Sequence, residues 1–129
     1  MQIEKIKYWI DISDYDFNTA QAMRESKRYL YVGFMCHQTI EKIFKAYYVK
    51  SKNDNPPFTH NLSLLAKKGD FYDLFTEEQK NFIDQIEPLN IEARYPAYKD
   101  RLLKSLNQKK CIELIRKTKN LQTWIKKKL

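Results

Sequence analysis

The chain has 129 residues, of which 43% are hydrophobic and 31% charged, and its formal net charge is +8. These values exclude an intrinsically disordered chain, and the length fits a single domain, residues 1–129, with one hydrophobic core. The sequence contains no run of about 18 apolar residues, so no membrane span is predicted. The charged N-terminus lacks the apolar segment of a secretion signal.

Two long helices are predicted in the N-terminal half. Apolar residues recur at steps of three and four from about Ile3 to Lys27, which indicates an amphipathic first helix. The second helix is predicted to begin at Arg28 or Tyr29 and to end near Lys52. Gly33 lies in its apolar stripe and costs about 1 kcal/mol relative to alanine. We therefore expect another helix, the first one, to approach closely at this glycine.

A loop and a short helix are predicted next. Polar residues followed by Pro56–Pro57 indicate that Ser51–His60 is not helical. A short helix should then start at Thr59 or Asn61, both of which are suitable N-caps, and end at Gly69.

The last two predicted helices complete an all-α fold. The sequence T-E-E-Q over Thr76–Gln79 is a capping box that predicts the start of a helix, which Pro88 should kink or end. A final helix is predicted from Asp100 or Ser105 to Lys127. Together these elements predict an up-and-down antiparallel bundle of four main helices plus a short helix.

Positive charge is concentrated in the C-terminal segment. From Lys99 onward, eleven lysines and arginines are opposed only by Asp100 and Glu113. Such a helix could attract phosphates. We favour a solvated helix face, because lysines dominate and no aromatic stacking platform is interleaved with them.

A line of polar residues flanks the apolar stripe of the second helix. His37, Glu41 and Lys45 follow one another at steps of four, which on an exposed face gives contacts worth about 0.2–0.5 kcal/mol each. Tyr48 lies angularly between the first two, which indicates that another helix or a second copy of the chain covers this side. We favour a structural ion-pair network over a ligand site.

The common catalytic signatures are absent from the sequence, including glycine-rich phosphate loops, H-E-x-x-H and G-x-S-x-G. His37 and His60 have no spacing that points to further metal ligands, so no metal site is expected. Cys36 is predicted to be packed in the core. The two cysteines, Cys36 and Cys111, are isolated in sequence, and we expect free thiols in a cytoplasmic protein.

Four motifs in order resemble the HEPN domain, a family named for nucleotide binding in higher eukaryotes and prokaryotes. They are W-x-x-x-S-x-x-D-F-x-x-A (Trp9–Ala20), Y-x-x-x-x-F-M-C-H-Q-T-I-E-K-I-F-K-A (Tyr29–Ala46), T-H (Thr59–His60) and A-R-Y-P (Ala93–Pro96). The resemblance implies a helical bundle that forms homodimers. For small prokaryotic members it also implies a neighbouring minimal nucleotidyltransferase, in a toxin–antitoxin-like pair.

The resemblance also implies which residues form a polar cleft. The matching positions are Gln38, Glu41, Lys42, Lys45, His60 and Arg94, and together with His37 and Tyr95 they are our candidates for a ligand site or polar cleft. In the ribonuclease branch of the family the active residues form R-x(4–6)-H. That motif is absent here, because no histidine follows Arg94 and Arg28 lies nine residues ahead of His37. We therefore assign no catalytic residue.

Three functions remain open. The first is a homodimeric binding module that pairs with a nucleotidyltransferase and holds a nucleotide, with Arg94 and Lys45 at the phosphates and Tyr95 or Tyr98 on the base. The second is a ribonuclease toxin with a non-standard site, in which His60 transfers protons and Arg94 holds the phosphate. The third is a purely structural helical scaffold. The absent motif favours a protein that is not an enzyme.

Overall fold

The computed structural model describes residues 2–92 and 95–129, except for the side chains at positions 91, 92 and 96–99. Within this part the chain is helical and contains no strand, which confirms the all-α prediction. The described residues form six α-helices rather than four and a short one, so the predicted helix count is not confirmed. The helices are α1 (Gln2–Glu25), α2 (Tyr29–Lys52), α3 (Leu62–Lys68), α4 (Glu77–Glu92), α5 (Pro96–Ser105) and α6 (Gln108–Lys126), with a 3₁₀ turn at Tyr72–Leu74.

Helix α2 is the centre of the fold and contacts the other five helices. Its apolar stripe is fully buried at Cys36, Ile40, Ile43 and Phe44. Because only three residues connect α1 to α2, the two helices lie side by side as a hairpin. The remaining helices pack around this pair, and α2 therefore positions the polar residues on its edge among several neighbours.

The predicted caps of α3 and α4 are present. At α4 the capping box is reciprocal: the Thr76 N–H donates to Gln79 Oε1 at 2.8 Å, and the Gln79 N–H donates to Thr76 Oγ1 at 3.1 Å. At α3 the side chain of Asn61 accepts a hydrogen bond from the Leu64 N–H at 3.0 Å. These bonds satisfy backbone donors that have no partner within the helix.

Gly69 ends α3 as expected, although not through a left-handed backbone. Its φ is −84°, and Asp70 takes the left-handed conformation with a φ of 61°. A Cβ at Gly69 would lie 2.4 Å from Cε1 of Phe71. The position therefore requires glycine because of space.

The expected partner of Gly33 was wrong. A Cβ on this residue would lie 3.0 Å from Cδ1 of Leu89 on α4 and 3.5 Å from Cδ1 of Leu106. The close approach therefore comes from α4 and from the segment before α6, not from α1.

The C-terminal segment departs from the prediction in two places. Helix α4 continues past Pro88 to Glu92, so the proline does not end it. The predicted start of the last helix at Asp100 is also wrong, because the chain breaks between α5 and α6, and the alternative start at Ser105 lies three residues before the observed start at Gln108. Asn107 caps the new helix by accepting from the Lys110 N–H at 2.8 Å.

None of the helices in the described ranges has the length and apolar character needed to cross a membrane.

Candidate functional site

Charged side chains from α1, α2, α4 and the loop before α3 meet in one place. Helix α2 contributes four of them, because positions three and four apart are neighbours on the surface of a helix. We call this group the Glu41 cluster; its members are Asp16, His37, Glu41, Lys42, Lys45, His60 and Glu87.

Glu41 lies at the middle of the cluster and is 1% exposed. Its Oε1 lies 2.8 Å from Nδ1 of His60, and its Oε2 lies 3.1 Å from Nζ of Lys45 and 3.5 Å from Nζ of Lys42. Burial acts to raise the pKa of this carboxyl. The charge of Lys42, the hydrogen bond from His60 and the ammonium of Lys45 outweigh burial, and the pKa falls below its usual value of 4.5. Glu41 is therefore a buried carboxylate at neutral pH.

His37 is fully buried and links three helices. Its Nε2 lies 2.9 Å from Oε2 of Glu87, and its Nδ1 lies 3.4 Å from Oε1 of Gln38 and 4.0 Å from Oε1 of Glu41. The second oxygen of Glu87 accepts the N–H of Leu62 at 2.6 Å, at the start of α3. His37 and Glu87 thus fasten α2 to α4 and α3.

Two lysines lie between the buried carboxylate and α1. Nζ of Lys42 is 3.9 Å from Oδ2 of Asp16, and the side chains of both residues are about 15% exposed. Burial raises the pKa of Asp16, the charge of Lys42 lowers it, and the charge of Glu41 raises it again, so that the net shift is upward. Nζ of Lys45 lies 5.3 Å from the ring centroid of Trp9, within the range of a cation–π contact.

His60 is the member of the cluster that reaches solvent most, with 53% of its side chain exposed. The bond from Nδ1 to Glu41 fixes the orientation of the ring. Among the residues that the structure describes, none forms a hydrogen bond with the other ring nitrogen, Nε2. A histidine oriented by a buried carboxylate is the arrangement used for general acid–base transfer.

The structure places most of the predicted site residues together. His37, Glu41, Lys42, Lys45 and His60 are in the cluster, and Gln38 lies at its edge. Tyr95 is 55% exposed just before α5. The predicted contact with Arg94 lies outside the described residues.

Sequence reasoning missed Asp16, Glu87 and Trp9 as members or neighbours of the site. Trp9 and Asp16 are seven residues apart, which puts them on one face of α1, and both belong to the first quoted motif. That spacing could have identified them. Glu87 gives no such signal, because its partner His37 is 50 residues away.

The described residues contain no group of three or more histidine, cysteine or acidic side chains that could hold a metal ion. The two cysteines are free and buried. Burial raises the pKa of Cys36 to about 12 and that of Cys111 to about 11. Neither thiol is therefore a candidate nucleophile.

Comparison with known proteins gives a family and a fold. The HEPN domain profile matches residues 6–129. The crystal structure of TT1696 from Thermus thermophilus is similar with a TM-score of 0.79, covering 97% of this chain and 98% of that chain at 16% sequence identity. At this identity the likeness shows the fold alone. A search of curated protein sequences finds no match.

Proposed function

Because the chain belongs to the HEPN domain family, we propose that it is a binding and interaction module that holds a nucleotide and pairs with a minimal nucleotidyltransferase. The pair would act as a prokaryotic toxin–antitoxin-like system in the cytoplasm, where free cysteines such as Cys36 and Cys111 persist. The observation that carries the proposal is the shielded Glu41 carboxylate, which holds two lysines in fixed positions beside α1.

The ligand half of the proposal rests on Lys45. Its ammonium has three donors, and in the described part of the chain one hydrogen bond from it is present, to Glu41 Oε2 at 3.1 Å. A phosphate oxygen can accept from the remaining donors. Arg94 is proposed as a second phosphate contact, and Tyr95, with its exposed ring, as a surface for the base.

Isothermal titration with ATP and with GTP tests this half. We expect heat of binding for the unmodified chain and a weaker affinity for Lys45→Met. The matched control is Lys7→Met, which removes a lysine from an exposed ion pair with Asp11 on α1. No heat at millimolar nucleotide would remove the ligand half of the proposal.

The partner half has a separate test. A tagged chain is expected to retain the product of the adjacent gene in a pull-down, and that product is expected to be a small nucleotidyltransferase. Recovery of the tagged chain alone, with the neighbour co-expressed, would remove this half while leaving nucleotide binding untouched.

We also propose that the module is a homodimer. The rings of Tyr31 and Tyr95 are 47% and 55% exposed, and tyrosine is enriched at protein interfaces because one end is apolar and the other forms hydrogen bonds. Light scattering is expected to give twice the chain mass of 15.6 kDa. A single-chain mass at working concentration would contradict the dimer.

A second candidate function, a ribonuclease with a non-standard site, is favoured by one observation. The bond of 2.8 Å between His60 and the buried Glu41 orients a partly exposed imidazole. In that case incubation with RNA gives cleavage that His60→Ala abolishes. Intact RNA, together with normal growth on expression of the chain, would argue against this function.

A further inference from the structure

A groove of about 500 Å³ lies between the first turns of α1 and the proline loop, next to the Glu41 cluster. Its walls are Tyr8, Trp9 and the segment Pro56–Phe58, and Lys45 of the cluster lies in its lining. We call it the aromatic groove. Its volume is within the range of about 300–1,000 Å³ that is common for small-molecule sites.

The loop side of the groove is held in place while its rim exposes large apolar surface. Nζ of Lys5 donates to Oδ1 of Asn55 at 3.0 Å, which ties the loop to α1. Phe58 is fully exposed and Tyr8 is 57% exposed. Exposed rings that border a concave apolar surface are typical of a binding site.

The charges in the lining select the kind of ligand. The lining contains two cations, Lys5 and Lys45, and one acid, Glu4. Lys45 also pairs with Glu41 outside the lining, and among the described residues that is the one hydrogen bond that its three donors make. A cationic ligand is disfavoured because the ammonium of Lys45 already lies 5.3 Å from the centre of the Trp9 ring. Lys45 is 7% exposed, so an anion that reached it would be largely removed from water and attracted more strongly.

We propose that the aromatic groove binds a planar aromatic molecule that carries one anionic group. The ring of the ligand packs among Tyr8, Trp9 and Phe58, and its anionic group meets the ammonium of Lys45. This inference deepens the ligand half of the proposed function, since a nucleoside monophosphate has this chemistry. It does not depend on the nucleotidyltransferase partner.

Trp9 supplies a direct readout of the proposal. The chain has two tryptophans, and Trp124→Phe leaves Trp9 as the single tryptophan, which excitation at the red edge of the absorption band selects over the tyrosines. In that variant we expect AMP to change the fluorescence of Trp9 with saturation. Adenosine, which has the ring alone, and ribose 5-phosphate, which has the anion alone, should each bind at least about tenfold more weakly. Benzoate, an aromatic acid that does not emit in the range of tryptophan, separates the two sources of this chemistry. A saturable change in Trp9 fluorescence with benzoate marks a general aromatic-acid site, and no change marks a nucleotide site.

Two exposed aromatic residues provide the variant and its control. Phe58→Ala is expected to weaken AMP binding at least about fivefold, because stacking on an aromatic side chain is lost. Tyr15→Ala removes a ring that is 72% exposed on α1 outside the groove and should leave binding unchanged. Both side chains are exposed, so neither variant should impair folding, which circular dichroism checks.

AMP could bind the Phe58→Ala and Tyr15→Ala variants equally strongly and leave Trp9 fluorescence unchanged. That result would overturn the groove as the site, while leaving nucleotide binding elsewhere on the chain intact. Failure of all four compounds to bind would overturn the groove, and only the further absence of heat with ATP and GTP would overturn the ligand half with it. Failure to recover the nucleotidyltransferase in the pull-down would contradict neither the groove nor nucleotide binding.

Discussion

Nδ1 of His60 lies 2.8 Å from Oε1 of Glu41, which joins a loop residue with half of its side chain in solvent to a carboxylate that is 1% exposed. The contact connects the surface of the molecule to the middle of α2. Lys45, bound to the other oxygen of Glu41, connects the same carboxylate to the aromatic groove. His60 and the aromatic groove are therefore linked through one buried charge.

Replacing Glu41 by glutamine should destabilise the fold strongly. The change leaves Lys42 and Lys45 without their shared counter-charge in a shielded site, which costs about 3 kcal/mol for a buried pair. Urea denaturation measures this loss. The control, Glu113→Gln, breaks an exposed pair with Arg116 and should change stability little.

The same variant also separates the scaffold function from the binding function. If Glu41→Gln lowers stability but binds nucleotide as the unmodified chain does, the cluster has only a structural role. Loss of both is the outcome expected for a cluster that also holds Lys45 in place for a ligand.

The stability difference between the unmodified chain and Glu41→Gln should depend on pH. The folded-state pKa of Glu41 is lowered, so the ionised carboxylate contributes stability above its usual value of 4.5, and this contribution is lost as the pH falls through the lower folded-state pKa. Denaturation between pH 7 and pH 3 should therefore show the difference shrinking below about pH 4.5. A difference that stayed constant would contradict the ionised state of Glu41.

Replacing Asp16 by asparagine should change the pH dependence of stability in the opposite direction. The pKa of Asp16 is raised, chiefly by burial, so the folded state favours the protonated carboxyl. The stability that the protonated form contributes is lost as the pH rises through the folded-state pKa. The asparagine variant should be at least as stable as the unmodified chain at pH 7, and that advantage should disappear in acid.

Helix ends could be predicted from the sequence where short-range patterns mark them. The ends of α1 and α2, the Asn61 cap and the capping box of Thr76–Gln79 follow from short-range patterns, and the structure has them within about two residues. The break at Asn107 was not identified as such: the last helix was predicted to start at Asp100 or Ser105, because the apolar pattern continues on both sides of Asn107.

The candidate site was only half predictable. Steps of four along α2 identified His37, Glu41 and Lys45, and the proximity of Tyr48 indicated a covered face; the structure buries all three polar residues. The sequence could not show that Glu87 pairs with His37, or that Trp9 lies over Lys45, because these contacts join different helices.

The two glycines should respond differently to alanine. At Gly69 the new methyl group would lie 2.4 Å from the buried ring of Phe71, and overpacking of this kind costs about 1–3 kcal/mol. At Gly33 the nearest atom is the end of the Leu89 side chain at 3.0 Å, which can shift, and alanine gains about 1 kcal/mol of helix propensity. Thermal unfolding should show a loss for Gly69→Ala and little change or a gain for Gly33→Ala; equal losses would contradict this account of the spacing.

Both cysteines should be unreactive in the folded chain. Burial raises the pKa of Cys36 to about 12 and of Cys111 to about 11, so neither forms thiolate at pH 8. Iodoacetamide followed by mass spectrometry should find no adduct on the native chain and two adducts after unfolding in urea. Rapid labelling of the native chain would mean that α2 and α6 separate readily at these positions.

The carboxyl pKa of Glu41, measured by ¹³C NMR and assigned with the Glu41→Gln spectrum, tests the central claim that a buried carboxylate holds the cluster together. We predict a titration midpoint below the usual value of 4.5, because Lys42, His60 and Lys45 outweigh the effect of burial. A midpoint at or above 4.5 would mean that burial outweighs the three partners, and would contradict the claim that they hold Glu41 as a carboxylate at the centre of the cluster.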